Sequence, residues 1–329
     1  MTTFSDLKSK EILELVLEQM KTAGTSFMDA WVKRGMPKKI TGKSYASINL
    51  FHLWAKAEKM NYISNTWATA KHINGCKTAD GKKGMINKGE KATWVVGTFT
   101  TPEKHTLVRG KDAGKIVERD KWSMKFYPVF NLDQTTIGDK DIPIQTGADT
   151  VDSVENYVKN TGAKVRVSSD SWNPFLSESC FYNVSQDHIS MVDKSKFKDT
   201  QESSATQNYY SVLLHELTHW TLHKDRCNRS FVEETKTKDG KPDPKSAYAM
   251  EELVAEMGSA IQSCKLGITS KPKLESAQYL NIWISRLEND SNLFWKVASY
   301  SSKAVWFLES KQPKKVPFSK NKLFAKKYA

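Results

Sequence analysis

Apolar positions in "FSDLKSKEILELVLEQMKTAG", residues 4–24, recur every three or four residues with lysines and acids between them. This predicts an amphipathic helix capped near Ser5 and stopped at Gly24. A second helical stretch, "SYASINLFHLWAKAEKM", covers 44–60. The pattern then shortens to strands. "ATWVVGTFT", 92–100, is β-branched and aromatic and is entered from the turn "NKGEK". "KWSMKFYPVFNL", 121–132, is expected to pair with it, the polar stretch between being an excursion or lid. A connector and one helix, "ADTVDSVENYVKNTG", lead to strands in "AKVRVSS" and "SCFYNVSQDHISMVD". These should form a sheet lining the face of the next helix. That helix carries "LLHELTHWTLH", 213–223, with Ser203, Ser204 and Thr206 as N-cap candidates. "YAMEELVAEMGSA", 248–260, is a strong helix former, "KTKDGKPDPKS" before it is a loop by composition, and 275–309 reads as helices. The chain is thus an α+β protein. Its expected parts are a first domain over 1–145, a second, separately cored domain over 146–310, and a basic tail over 311–329.

Charge divides the chain in the same way. Residues 30–91 hold thirteen Lys and Arg against three acids, whereas 151–302 hold eighteen against twenty. The tail from 303 holds eight against one. A positive N-terminal half beside a nearly neutral second half points to a polyanionic partner for the first. A merely solubilising lysine surface is the bland alternative. No window approaches the ~20 apolar residues of a membrane span. The N-terminal stretch lacks the basic start and small-residue cleavage site of a signal peptide. Cys76, Cys180, Cys227 and Cys264 show no paired spacing, as expected of reduced thiols. A cytoplasmic protein without a membrane partner is the expectation.

The chemistry concentrates in "HELTH". On a helix His215 and His219 lie one turn apart and converge on one point, and Glu216 beside the first can act on a water without binding the metal. Two imidazoles need a third ligand. Asp225 lies ten residues after His215, but the chain reverses there only with a glycine, and Leu222 stands at that position. Glu252 and Glu256, four apart on an otherwise apolar helix, are the better pair. Glu252 is assigned as ligand and Glu256 as the carboxylate that fixes a ligand imidazole from behind. Both acids facing solvent is the alternative. His223, a turn further on, is read as a cleft or hydrogen-bonding residue. The donors suit Zn2+, with another divalent ion such as Mn2+ as the alternative.

The basic half mixes charge with flat side chains, the combination by which proteins hold single strands without reading sequence. Lys43, Tyr45, Asn49, Trp67, Lys71, Lys88 and Lys91 are the candidate contacts, with Tyr45 and Trp67 expected on the surface for stacking.

The segments "TGKSYASIN", "NTWATAKHI", "NKGEKAT" and "YPVFNLDQ", then "HELTHWTLHKDR", "YAMEELVAEMGSA" and "LGITSKPKLESAQYLNIWISRL", resemble the ArdC-type antirestriction proteins of plasmids and phages. The resemblance covers nearly the whole chain. It implies a mixed α/β single-stranded-DNA-binding domain followed by a zincin-like metallopeptidase domain, acting in a bacterial host on DNA and on an unidentified protein substrate. The family's usual Gly, Gln and Gly are replaced here by Ala46, His72 and Leu222. A DNA-protective strand-binding protein whose metal domain is structural or inactive is the second reading, and a general intracellular metallopeptidase the third. Glu216 argues against a purely structural metal.

Overall fold

The computed structural model describes residues 4–106, 108–109, 114–138, 150–168, 180–201, 203–237, 239–268 and 278–313. The expected boundary near 145 and the basic tail from 314 lie outside them.

The first helix, α1, spans Phe4–Ala23, and Gly24 at φ +59° ends it in the left-handed region that glycine enters without a Cβ penalty. Two helices follow, α2 (Phe27–Arg34) and α3 (Ile48–Lys59), then the short α4 (Ala70–Gly75). Strands β1 (Lys38–Lys39), β2 (Thr66–Ala68), β3 (Thr93–Thr106) and β4 (Ile116–Asn131) form a sheet in the order β1-β2-β4-β3. Much of the stretch between the two expected strands is itself strand: the antiparallel register continues from Thr93↔Val129 to Thr106↔Ile116, and residues 107 and 110–113 lie outside the described residues. The outer part of this ribbon is exposed along β3 from Thr98 onward.

Helix α5 (Thr150–Thr161) opens the second half. Strands β5 (Val165–Ser168), β6 (Phe181–Asn183) and β7 (His188–Val192) make a second sheet, ordered β5-β7-β6. Helix α6 (Ala205–Trp220) packs on it through Tyr209, Leu213 and Leu217 against Ile189 and Met191. Ser204 is its N-cap, in a reciprocal capping box with Gln207. Helix α7 (Pro244–Leu266) starts from the Asp243 cap with proline in its first turn and stops at Gly267, φ +71°. Helices α8 (Leu280–Asn289) and α9 (Ser291–Ser310) complete the chain's described part.

The two halves do not have separate cores. The largest hydrophobic cluster joins Ile12, Trp31, Phe51 and Trp54 from α1–α3 to Leu253, Met257, Trp283, Phe294 and Val297 from α7–α9. The backbone N–H of Ser47 also donates to Ser302 Oγ at 2.8 Å. A fragment ending near 145 would leave this apolar face of α1–α3 uncovered.

His52 on α3 is 4% exposed, and burial pushes its pKa down to about 4, helped by Lys56 and opposed by Glu11. The folded state keeps it neutral while the unfolded chain protonates it at ~6.5. Its stabilisation is therefore whole at neutral pH, declines as pH falls below about 6.5, and is exhausted below about 4, for roughly 3 kcal/mol in all. Urea denaturation across that window should show the decline, and His52→Gln should flatten it. An unchanged profile in the variant would assign the acid sensitivity elsewhere.

Candidate metal centre

The site depends on how closely α6 and α7 approach. A Cβ at Gly258 would lie 2.5 Å from Thr218 Cγ2, so only glycine admits this contact. Gln262 Nε2 donates to Thr218 Oγ1 (2.8 Å) and Leu214 O (3.2 Å), and Ser259 Oγ donates to Ser211 O (3.1 Å). These bonds fix the register of the two helices and bring the acids of α7 over the histidines of α6.

His215, His219 and Glu252 offer one donor atom each within 4.8 Å of one another, all buried. The Nε2 atoms of the two histidines are 3.1 Å apart. Glu252 Oε2 lies 3.3 Å from His215 Nε2, and its Oε1 lies 3.3 Å from His219 Nε2. Ligands ~2.0–2.1 Å from a tetrahedral ion stand roughly 3.3 Å apart, close to these separations. The two imidazole nitrogens and the Glu252 carboxylate, which turns one oxygen to each of them, could therefore hold a divalent cation.

Behind these donors, Glu256 Oε1 is 3.4 Å from His215 Nδ1. The partner of His219 is a residue that sequence reasoning missed. Glu251 Oε1 accepts from His219 Nδ1 at 3.1 Å, and Arg229 holds Glu251 through Nε (2.8 Å) and Nη2 (2.6 Å). Arg229 also donates to Thr218 O (2.7 Å) and Thr221 Oγ1 (2.5 Å) with its side chain fully buried. The only sequence signal was a second glutamate beside Glu252, one position off the four-residue spacing.

Glu216 is 1% exposed, buried in the same cluster of acids. Burial would lower the pKa of His215, yet Glu256, Glu252 and Glu216 around it push it up to about 10. Burial likewise opposes ionisation of Glu252, but hydrogen bonds to His215 and His219 hold its carboxyl well below the usual range. The acids around the two imidazoles thus favour positive charge at this point, a proton or a metal ion.

Asp225 stands outside the donor group: its side chain is 73% exposed and lies 3.5 Å from His223 Nδ1. His223 follows the helix instead of extending it, since α6 ends at Trp220. With Leu222 in place of glycine, side chains fasten the turn. Arg226 Nε donates to Trp220 O (2.5 Å), its Nη1 and Nη2 hold Asp187 at 3.1 and 2.6 Å, and Arg229 clamps Thr218 O.

In the N-terminal half Lys43, Lys71, Lys88 and Lys91 are exposed. Tyr45 and Trp67 are not: they are 7% and 1% exposed and share a cluster with Leu53, Tyr62, Val95 and Val129. Trp67 sits on β2, which runs between β1 and β4 and is buried at all three positions, so neither face meets solvent. Asn49 is engaged with the backbone, its amide donating to Val96 O and accepting from Val96 N, both at 2.7 Å. Trp67→Ala should accordingly cost about 3–5 kcal/mol of stability, read by chemical denaturation. A stable variant with selectively weakened DNA binding would restore the surface assignment.

Residues 8–130 match the family described as the N-terminal domain of anti-restriction factor ArdC, and 152–300 match the one described as zincin-like metallopeptidase. The fold is similar to the metal-free crystal structure of antirestriction ArdC from the R388 plasmid, with a TM-score of 0.67 and 30% identity over 92% of this chain and 97% of that one. The Mn(II)-bound structure of that protein gives a TM-score of 0.64 at 28% identity, with the same coverage. DNA primase TraC of Escherichia coli is 27% identical over 326 residues, 93% of this chain. This chain spans only 27% of that primase's length. The uncharacterized protein y4eC of Sinorhizobium fredii is 24% identical over 273 residues, 83% of this chain and 80% of its own.

Proposed function

Since this chain belongs to the ArdC-type antirestriction proteins and carries their zincin-like domain, we propose that it joins nonspecific single-stranded-DNA binding in the N-terminal half to metal-dependent peptide-bond hydrolysis in the second. The observation that carries the peptidase reading is the buried donor triangle of His215, His219 and Glu252 with Glu216 beside it. A structural metal has no use for that buried base, which disfavours the inactive-domain reading.

When bound, a divalent ion would polarise a peptide carbonyl and lower the pKa of water towards neutrality. The chain's own residues do the rest. Glu216 takes the proton of the attacking water and returns it to the leaving amine. Glu251 holds the His219 proton on Nδ1, and Glu256 does the same for His215, so that both Nε2 lone pairs face the donor triangle. Zn2+ is the proposed ion and Mn2+ the alternative, because a relative has been crystallised with Mn(II) and the same nitrogen and oxygen donors accept both.

The DNA reading rests on the N-terminal family match and on the excess of lysine in residues 30–91. No helix among the described residues is long and apolar enough to cross a membrane, and all four cysteines are free. We place the protein in the cytoplasm of a bacterial host, with single-stranded DNA as its binding partner and an unidentified protein as its substrate. Elemental analysis of the purified chain should find one divalent ion, and a titration should find single-strand binding that weakens with salt. A chain with neither property would sink the proposal.

A further inference from the structure

The rings expected to stack on bases lie in the core, yet the ribbon of β3 and β4 presents others. Phe99 is 42% exposed there. The register pairs Val95 with Tyr127, Gly97 with Lys125 and Phe99 with Ser123, so all six positions share one face of the ribbon. Gly97 is bare, and the two rings close over it. A Cβ built there would lie 2.8 Å from Tyr127 Cε2 and 3.3 Å from Phe99 Cζ.

Lys125, opposite Gly97, is exposed, and its Nζ stands 5.7 Å from the centre of the Tyr127 ring. Lys121 follows one pair beyond Ser123 on the same face, its charge engaged by Glu103 at 2.8 Å. The inner end of this face is rigid, because Tyr127 packs on the cluster of Tyr45, Trp67, Val95 and Val129. The chain enters β3 directly from the exposed Lys88 and Lys91. Flat rings, one exposed cation beside them and a firm base beneath are what a base and its phosphate require.

We propose that this face of the ribbon is a base-stacking platform for single-stranded DNA. Phe99 and Tyr127 take a base over Gly97, and Lys125 meets the phosphate alongside. The assignment rests on the single-strand reading above and names its surface.

The test is fluorescence anisotropy of the full chain with a labelled oligothymidine across a salt series. Phe99→Ala should weaken binding roughly tenfold with an unchanged log–log salt slope, and Phe99→Trp should retain affinity. Gly97→Ala, which drives a methyl group into the Tyr127 ring, should weaken binding as well. Lys125→Gln should instead shallow the slope by about 0.7. Metal content and melting temperature should stay at wild-type values in Phe99→Ala, since that ring is outside the core. Wild-type affinity in Phe99→Ala overturns the platform and leaves the single-strand reading standing, whereas a wild type that binds no strand overturns both. If Phe99→Ala changes sedimentation and not DNA affinity, the face pairs two copies of the chain and the proposal falls.

Discussion

His215→Ala and Glu252→Ala should each leave the purified protein without stoichiometric metal, while Glu216→Ala keeps its metal and loses hydrolysis by a factor on the order of 10²–10⁴. The asymmetry follows from position. His215 and Glu252 are two of the three donor groups, with contacts of 3.1 to 3.3 Å between imidazole nitrogens and carboxylate oxygens, and no other such group of donors occurs among the described residues. Glu216 is not one of the three, so its removal spares affinity and takes away the base. Chelation should also lower the melting temperature, because an ion present at ~100 times its dissociation constant stabilises the fold by about 2.7 kcal/mol. Plasma mass spectrometry of the three variants, with rates on any peptide the wild type cleaves, decides the matter. If Glu216→Ala emptied the site as fully as His215→Ala, the division of roles would be wrong. If Asp225→Ala emptied it, the third ligand would have to be moved.

Much of this site was readable because its parts obey helical spacing. His215 and His219 are one turn apart, and so are Glu252 and Glu256, so each pair declared a common face before any fold was known. Glu251 escaped because it lies beside Glu252 in sequence and reaches a different imidazole, while its anchor Arg229 sits in an irregular turn with no period to read. The misplacement of Trp67 has a different origin. Polar neighbours normally mark an exposed strand face, but Thr66–Ala68 is a short strand inside a sheet and buried on both sides. The extended ribbon was missed for the converse reason. With both faces exposed beyond Thr98, its residues show none of the alternation that announces a strand. The shared core was likewise illegible, because an amphipathic α1 reveals which side is covered and not that α8 and α9 are among its covers.

Arg229→Met should destabilise the protein by about 3–5 kcal/mol, the range for stripping one partner from a buried ion pair. It should also weaken metal binding roughly 10–100-fold, as expected when the carboxylate that orients His219 loses its own anchor. Both effects run through Glu251. Burial opposes its ionisation, but the Arg229 charge and the hydrogen bonds from His219 and Arg229 keep its carboxyl ionised below the ordinary glutamate range. Without Arg229 that carboxylate is buried against His219 alone, and Thr218 O and Thr221 Oγ1 also lose their donor. Arg229→Lys should not rescue either property, because one ammonium cannot span the two oxygens of Glu251 and the turn at once. The double variant Arg229→Met/Glu251→Met separates the two roles. With both charges gone, most of the stability should return, since well-packed apolar replacements of a buried pair are often neutral or better. Metal affinity should stay low, because His219 Nδ1 has now lost Glu251 as its acceptor. Chemical denaturation of the metal-free proteins and competition with a chromogenic chelator give the two readings. Recovery of metal affinity in the double variant would mean that the pair only braces the turn after α6 and does not orient His219.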